Sequence, residues 1–245
     1  MSRTTHLIVL TYAALACIID GFVVQRKWSH RSAIRTSSTK SAADLFGSEG
    51  WKPIEKELDT VPIFTCANEK GHPLQYSVEV NDDSFPVPFF YCDVGDALEE
   101  LTKARKETEM GDELDIIPFP LGKAFQLWAT DKAVIIPSKD AIMQAGAPPG
   151  SNPLGQHVPL FACMDIMQEG EDGKPVLPLF FVLDEANTAV EEATQADGGS
   201  PEDFEVVSLS LPRAVELLAG AAEGPAFQFI PPKASIQHIE DYLSS

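Results

Sequence analysis

The chain has 245 residues, 44% of them hydrophobic, with 18 Lys+Arg against 37 Asp+Glu; that is apolar material enough for one large domain or two small ones. Six of the bases and one of the acids lie in residues 1–40, so residues 41–245 keep 12 bases against 36 acids, a formal net charge of −24. So acidic a body repels phosphate backbones and anionic lipid head groups, which argues against nucleic acid as a partner, and it attracts cationic segments.

The N-terminus reads as an address. Leu7 to Ile19 (LIVLTYAALACII) is an unbroken apolar run preceded by Arg3 and His6. It is short for a bilayer span and has the proportions of a signal-peptide core, giving a signal peptide over 1–21 with the cut expected after Gly21. Residues 22–43 are basic, rich in Ser and Thr, and free of acids, which is the composition of a transit peptide. A signal peptide followed directly by a transit peptide resembles the bipartite leader of diatoms and related algae, whose plastids lie inside extra membranes. Phe22 stands where those leaders place an aromatic residue. No later segment is long and apolar enough to cross a bilayer.

Residues 44–60 predict an acidic, amphipathic helical region carrying Leu45, Phe46, Trp51, Ile54 and Leu58. From there one pattern appears twice. VPIFTC at 61–66 returns as VPLFAC at 158–163, and VPFFYC at 87–92 as LPLFFV at 177–182. DALEEL at 96–101 returns as TAVEEA at 188–193, and LDIIPFPLGKAFQL at 114–127 matches FEVVSLSLPRAVEL at 204–217 without a gap. IIPSKDAI at 135–142 matches FIPPKASI at 229–236. The blocks keep their order at a spacing of roughly ninety, which identifies an internal repeat.

The apolar runs near 61–66 and 87–92, rich in β-branched and aromatic residues, predict buried strands with prolines at their starts. Gly71-His-Pro-Leu74 and EGEDGK at 169–174 are turn chemistry. Helices are expected at about 94–108 and 185–196, at 121–129 and 212–220, and at Ser138–Ala145 and Ala234–Leu243, the first of this last pair capped by Ser138. Each unit thus reads β-β-β-α-β-α-β-α, with units at 61–150 and 151–245 and a Gly/Pro-rich linker at 146–156. The fold class is α/β (α+β), two pseudo-symmetric sheet-plus-helix halves of one compact duplicated domain.

Chemistry-bearing motifs are scarce. The four cysteines, Cys17, Cys66, Cys92 and Cys163, have no C-x-x-C spacing, and His72, His157 and His238 belong to no recognisable triad or metal set. No cofactor, metal or catalytic residue is expected. The carboxylate pairs Glu99-Glu100 and Glu191-Glu192 read as solvated helix faces, and Asn81-Asp82-Asp83 as a loop cluster. Apolar surface is the remaining candidate. Phe64, Phe89, Phe90, Phe161, Phe180 and Phe181 are the pool from which an open, peptide-binding face would be drawn, although strand alternation lets only about half of them line it. Pairing of an incoming chain with an exposed strand edge is a second physical route.

The ordered blocks, VP-[IL]-F, then P-x-F-F before a helix, then I-I-P-F-P-L-x-K-A-F-x-L and a late F-x-P, resemble the family of the 22-kilodalton component of the translocon at the inner envelope of chloroplasts. The similarity covers about 60–236. It implies a non-catalytic protein-import factor of the envelope intermembrane space, with a duplicated α/β fold. Its expected role is chaperone-like escort of precursor proteins between translocons, with precursors and translocon subunits as partners. Two other expectations stay open. One is a plastid or thylakoid assembly factor, and the other a thiol-based redox protein using Cys66 and Cys163, which occupy matching positions in the two units.

Overall fold

A computed structural model describes residues 23–29, 42–80, 83–108, 111–170, 173, 175–197, 199–220 and 226–244. The signal-peptide segment, most of the transit-peptide span, the Asn81-Asp82 loop and parts of the 169–174 and 198–201 loops lie outside the described residues. Inside the transit-peptide span, Val23–Ser29 forms strand β1. Helices α1 (Ala42–Phe46) and α2 (Trp51–Leu58) follow.

The first unit then runs β2 (Pro62–Ala67), β3 (Gln75–Val80), β4 (Asp83–Tyr91), α3 (Val94–Glu107), β5 (Asp115–Pro120), α4 (Leu121–Ala129), β6 (Val134–Ile136) and α5 (Lys139–Gln144). The second repeats that order as β7 (Pro159–Cys163), β8 (Gln168–Glu169), β9 (Pro175–Phe180), α6 (Leu183–Asp197), β10 (Val206–Ser210), α7 (Leu211–Gly220), β11 (Ala226–Ile230) and α8 (Lys233–Leu243). Both match the expected β-β-β-α-β-α-β-α order. A single 3₁₀ turn precedes the fourth strand of each unit, at Gly111–Glu113 and Pro201–Asp203.

Local chemistry sets the boundaries. The Asp93 side chain caps α3 by accepting from the Asp96 N–H at 2.9 Å, and Arg105 and Lys106 complement its last turn. Ser138 caps α5 through the Ala141 N–H. Asn68 Oδ1 accepts from the N–H groups of Lys70 and His72, folding the β2–β3 turn, where Gly71 takes the left-handed φ of 75°.

Each unit makes its own sheet. The first, six-stranded, has the order β1-β3-β4-β2-β5, with β6 beside the C-terminal part of β4; the second, five-stranded, has β10-β7-β9-β11, with β8 beside β9. In both, the first strand runs antiparallel to the third and fourth, and the last strand runs parallel to the third. β1 lies parallel to β3 on its outer side.

Strand register corrects two of the sequence matches. Cys66 faces Ile116 in one unit and Cys163 faces Val206 in the other, as the gapless block requires. However, Phe64 pairs with Tyr91 whereas its counterpart Phe161 pairs with Phe180. Tyr91 therefore corresponds to Phe180, and VPFFYC at 87–92 matches 176–181 rather than 177–182. With a side-chain period of two, a one-residue slip sends every residue to the opposite face. The structural match puts Phe90 with Leu179 and Cys92 with Phe181, all on the inner face. The helix block shifts as well. Ala97 and Leu101 correspond to the buried Ala186 and Val190, so DALEEL at 96–101 overlies 185–190 rather than 188–193.

The inner faces of the two sheets meet in one central core. Ile63, Phe90 and Ile135 from the first unit pack with Leu160, Leu179 and Phe229 from the second. The N-terminal helix α2 wedges into this layer through Trp51, Ile54 and Leu58, between α4 and α7. The wedge depends on close backbone approach: a Cβ on Gly122 would lie 2.4 Å from Asp59 Oδ1, and one on Gly50 would lie 2.6 Å from the Ala219 carbonyl oxygen. The outer faces are covered by α3 and α6, and the terminal helices exchange places. Ala141 of α5 packs with Phe161, Phe180 and Ala186 of the second unit, while Ile239 and His238 of α8 lie against the outer cluster of the first, the His238 ring 5.5 Å from that of Phe64.

A core built from both sheets predicts that the units unfold together. Phe229→Ala, in the second unit, should cost about 3–5 kcal/mol. The denaturant midpoint followed by Trp51 and Trp128 fluorescence, both in residues before the second unit, should fall together with the midpoint followed by far-UV circular dichroism. Separate transitions would show two independent cores.

Candidate functional site

All six phenylalanines proposed as peptide-binding are buried, none more than 6% exposed. Strand alternation divides them as expected, but both faces of each sheet are covered where these six lie. Phe90 and Phe181 point into the central layer, Phe64 and Phe89 into the cluster beneath α3 and α8, and Phe161 and Phe180 into the cluster beneath α5 and α6. None lines an open face in this structure. The reason lies in the duplication, since each sheet has the other unit on one side and helices on the other.

Reactive chemistry is equally enclosed. Cys66, Cys92 and Cys163 are buried, and none is in a disulfide. The Cys66 thiol donates to the Ala97 carbonyl oxygen at 4.0 Å, and burial pushes the Cys92 thiol well above its ordinary range, helped by Asp93 and Asp96. The positions of Cys66 and Cys163 match, as the sequence indicates, but they sit in the outer clusters of different units. Among the described residues no group of His, Cys, Asp and Glu is arranged to hold a metal ion.

Of the carboxylate pairs, Glu191 and Glu192 are exposed as expected. Glu100 is not: it is buried and accepts a hydrogen bond from the Tyr76 hydroxyl at 3.2 Å. Burial raises the Tyr76 phenol far above its usual range, so the pair is a structural hydrogen bond and not a solvated face. Its neighbour Glu99 is exposed and takes the Lys139 ammonium at 2.6 Å, with Asp96 on the same ammonium at 2.8 Å. These two carboxylates, Asp96 first, raise the Lys139 pKa. The contact has a twin, since the Lys139 N–H donates to Asp96 and the Lys233 N–H to Glu185. Each long helix thus caps the start of the terminal helix of its own unit.

Two small voids lie between the units. One, of about 20 Å³, is walled by Cys92, Ser138 and Ala141 on one side and Val158, Phe181 and Pro232 on the other. It has room for about one water molecule and for no organic ligand. The other, of about 10 Å³, lies near Trp128 and His157.

What the surface does offer is acid interspersed with single apolar groups. Met164 and Met167 stand out on the β7–β8 connection, Leu217 on α7, Val207 on β10, and Tyr242 and Leu243 at the end of α8. Methionines in such a place give adaptable apolar contact. Exposed Glu202, Asp203 and Glu205 lead into β10. Sequence reasoning passed over these residues in favour of the phenylalanines. The signal available was the C-M-D-I-M run at 163–167, where apolar side chains alternate with an acid inside a turn.

The architecture defines a class, an internally duplicated α/β protein with two stacked sheets and exchanged terminal helices. It is the fold of the Tic22 proteins. The structure of Tic22 from Plasmodium falciparum superposes with a TM-score of 0.62 at 21% identity, over 79% of this chain and 98% of that one. The structure of Anabaena Tic22, described as a protein of protein transport, gives 0.61 at 19% identity, over 78% of this chain and 96% of that one. No family model and no curated protein matches the sequence.

Buried thiols predict inertness. In the native full chain a water-soluble thiol reagent should label no cysteine other than Cys17, with Cys66, Cys92 and Cys163 reacting only after denaturation. Rapid native labelling of Cys66 or Cys163 would restore the redox reading.

Proposed function

We propose that this chain is a non-catalytic protein-import factor of a complex plastid, escorting precursor proteins between translocons in the envelope intermembrane space. The observation that carries the reading is the duplicated fold shared with the two Tic22 structures over nearly their whole length. The sequence adds an N-terminal signal-plus-transit composition, which supports a plastid address once the leader is removed. No helix of the described residues is long and apolar enough to cross a membrane.

Physical chemistry suits the proposed work. A precursor in transit is unfolded, and its targeting segment is cationic. An acidic body attracts such a segment over about a Debye length, roughly 8 Å at physiological ionic strength. Scattered exposed apolar groups add weak, sequence-tolerant contact, so binding and release are both quick.

The test is photo-cross-linking in isolated plastids, with a probe placed at Met164. A precursor arrested during import should cross-link, more at low salt than at high. Recovery of a tagged copy in the thylakoid fraction, without precursor or translocon adducts, would favour an assembly factor instead.

A further inference from the structure

The fourth strand of each unit, β5 or β10, ends its sheet among the described residues, and one side of the β10 backbone has no described strand beside it. Which groups face that side follows from the register. The Leu121 N–H donates to the Val61 carbonyl oxygen at 3.0 Å, and the Leu211 N–H to the Val158 carbonyl oxygen at 2.7 Å. Antiparallel strands alternate between residues bonded inward and residues facing away. Ile117 and Phe119 therefore bond to β2, and Val207 and Leu209 to β7. Facing away are Ile116, Pro118 and Pro120 in β5, and Val206, Ser208 and Ser210 in β10.

The two edges are treated oppositely. In β5 the Ile116 N–H is taken by the Asp115 carboxylate at 2.9 Å, and Pro118 and Pro120 have no N–H. Every outward donor is gone, a recognised way to stop a sheet edge from pairing. In β10 the gapless match replaces both prolines with serine and Asp115 with the longer Glu205. Val206, Ser208 and Ser210 keep their N–H groups, and none has a hydrogen-bond partner among the described residues. Ser208 and Val207 are exposed, as an uncovered edge requires. The other side of the first sheet already carries an extended basic segment, β1, with Arg26 and Lys27, laid along β3.

We infer that the outer edge of β10 is a strand-addition site, and that its occupant is an extended cationic segment of another polypeptide. Three outward donors and the carbonyls of the same residues, Val206, Ser208 and Ser210, match the ladder of a strand of five or so residues whatever its side chains. Side-chain selectivity comes from charge: Glu202, Asp203 and Glu205, all exposed, stand at the entrance of the edge and attract basic residues. Val207, 37% exposed, adds one apolar contact. This assignment deepens the import-factor reading by naming where the precursor docks, yet it is decided by binding measurements that need no plastid.

The probe is a fluorescein-labelled synthetic peptide of roughly a dozen residues, rich in Ser, Thr and Arg and free of acids, titrated into the full chain and read by anisotropy. Ser208→Pro with Ser210→Pro copies the solution of β5 and should weaken binding about tenfold or more, through loss of two backbone donors. Ser208→Ala with Ser210→Ala keeps those donors and should bind as the parent does. Glu202→Gln, Asp203→Asn and Glu205→Gln together should flatten the salt dependence. Should the proline pair unfold the chain, Ser208→Pro alone should still weaken binding, through loss of the central outward donor.

Unchanged affinity in a folded proline variant would overturn the assignment, as would an equal loss in the alanine variant or undiminished binding by the single-proline one. So would self-association abolished by the prolines without peptide binding, since the edge would then serve a second copy of this chain. If binding maps to β10 but no precursor cross-links in plastids, the site stands and the import reading falls.

Discussion

Neither sheet can bury its inner face alone. Ile63, Phe90 and Ile135 need Leu160, Leu179 and Phe229 opposite them, and the layer they form with α2 excludes water from both units at once. This single apolar layer fixes the distance between the sheets, the depth to which Trp51 and Leu58 are inserted, and the glycines that let α2 approach α4 and α7. It also accounts for how little space is left at the seam between the units. A duplicated domain whose halves close on one another uses its largest side chains as filling, and what is left between them holds about one water molecule.

Much of this was legible in the chain before any coordinates. Short apolar runs, caps, prolines and blocks recurring in one order gave the element order of both units, though not the span of the second strands, Gln75–Val80 and Gln168–Glu169. What failed did so for reasons that can be stated. Matching VPFFYC to LPLFFV maximised letter identity, but identity does not know which face a residue occupies. The structural partner of Tyr91 is Phe180, and only pairing across β2 and β7 shows it. The phenylalanines suggested a surface with one face of each sheet open; the opposite sheet closes the inner face over them and the helices, with α5 and α8 exchanged, close the outer one. Glu100 looked like half of a solvated pair, yet one helical step places it inward against Tyr76. The serines and prolines of the fourth strands were visible in a gapless match from the start. Their significance depends on which N–H groups turn outward, a fact of register and not of composition.

Charge and packing therefore divide the labour. The interior is the conservative part, nearly symmetric and chemically silent, with its thiols and its Tyr76–Glu100 pair shielded from solvent. The units differ chiefly on their rims. One has a long β3–β4 hairpin bearing β1 and a fourth strand closed by proline; the other has a two-residue β8, a methionine-bearing turn and an uncapped fourth strand. Duplication followed by divergence at the rim gives one scaffold two unlike flanks.

The exchange of terminal helices sets an order of assembly. Phe64 and its neighbours on the outer side of the first sheet stay partly uncovered until α8 docks with Ile239 and His238, and α8 leaves the ribosome after every other element of the two units. At ordinary rates of synthesis, roughly 5–20 residues per second, that leaves a first unit with greasy flanks exposed for several seconds. A chain stalled or truncated before residue 233 would be a sticky half-product, and its producer must shelter it or discard it.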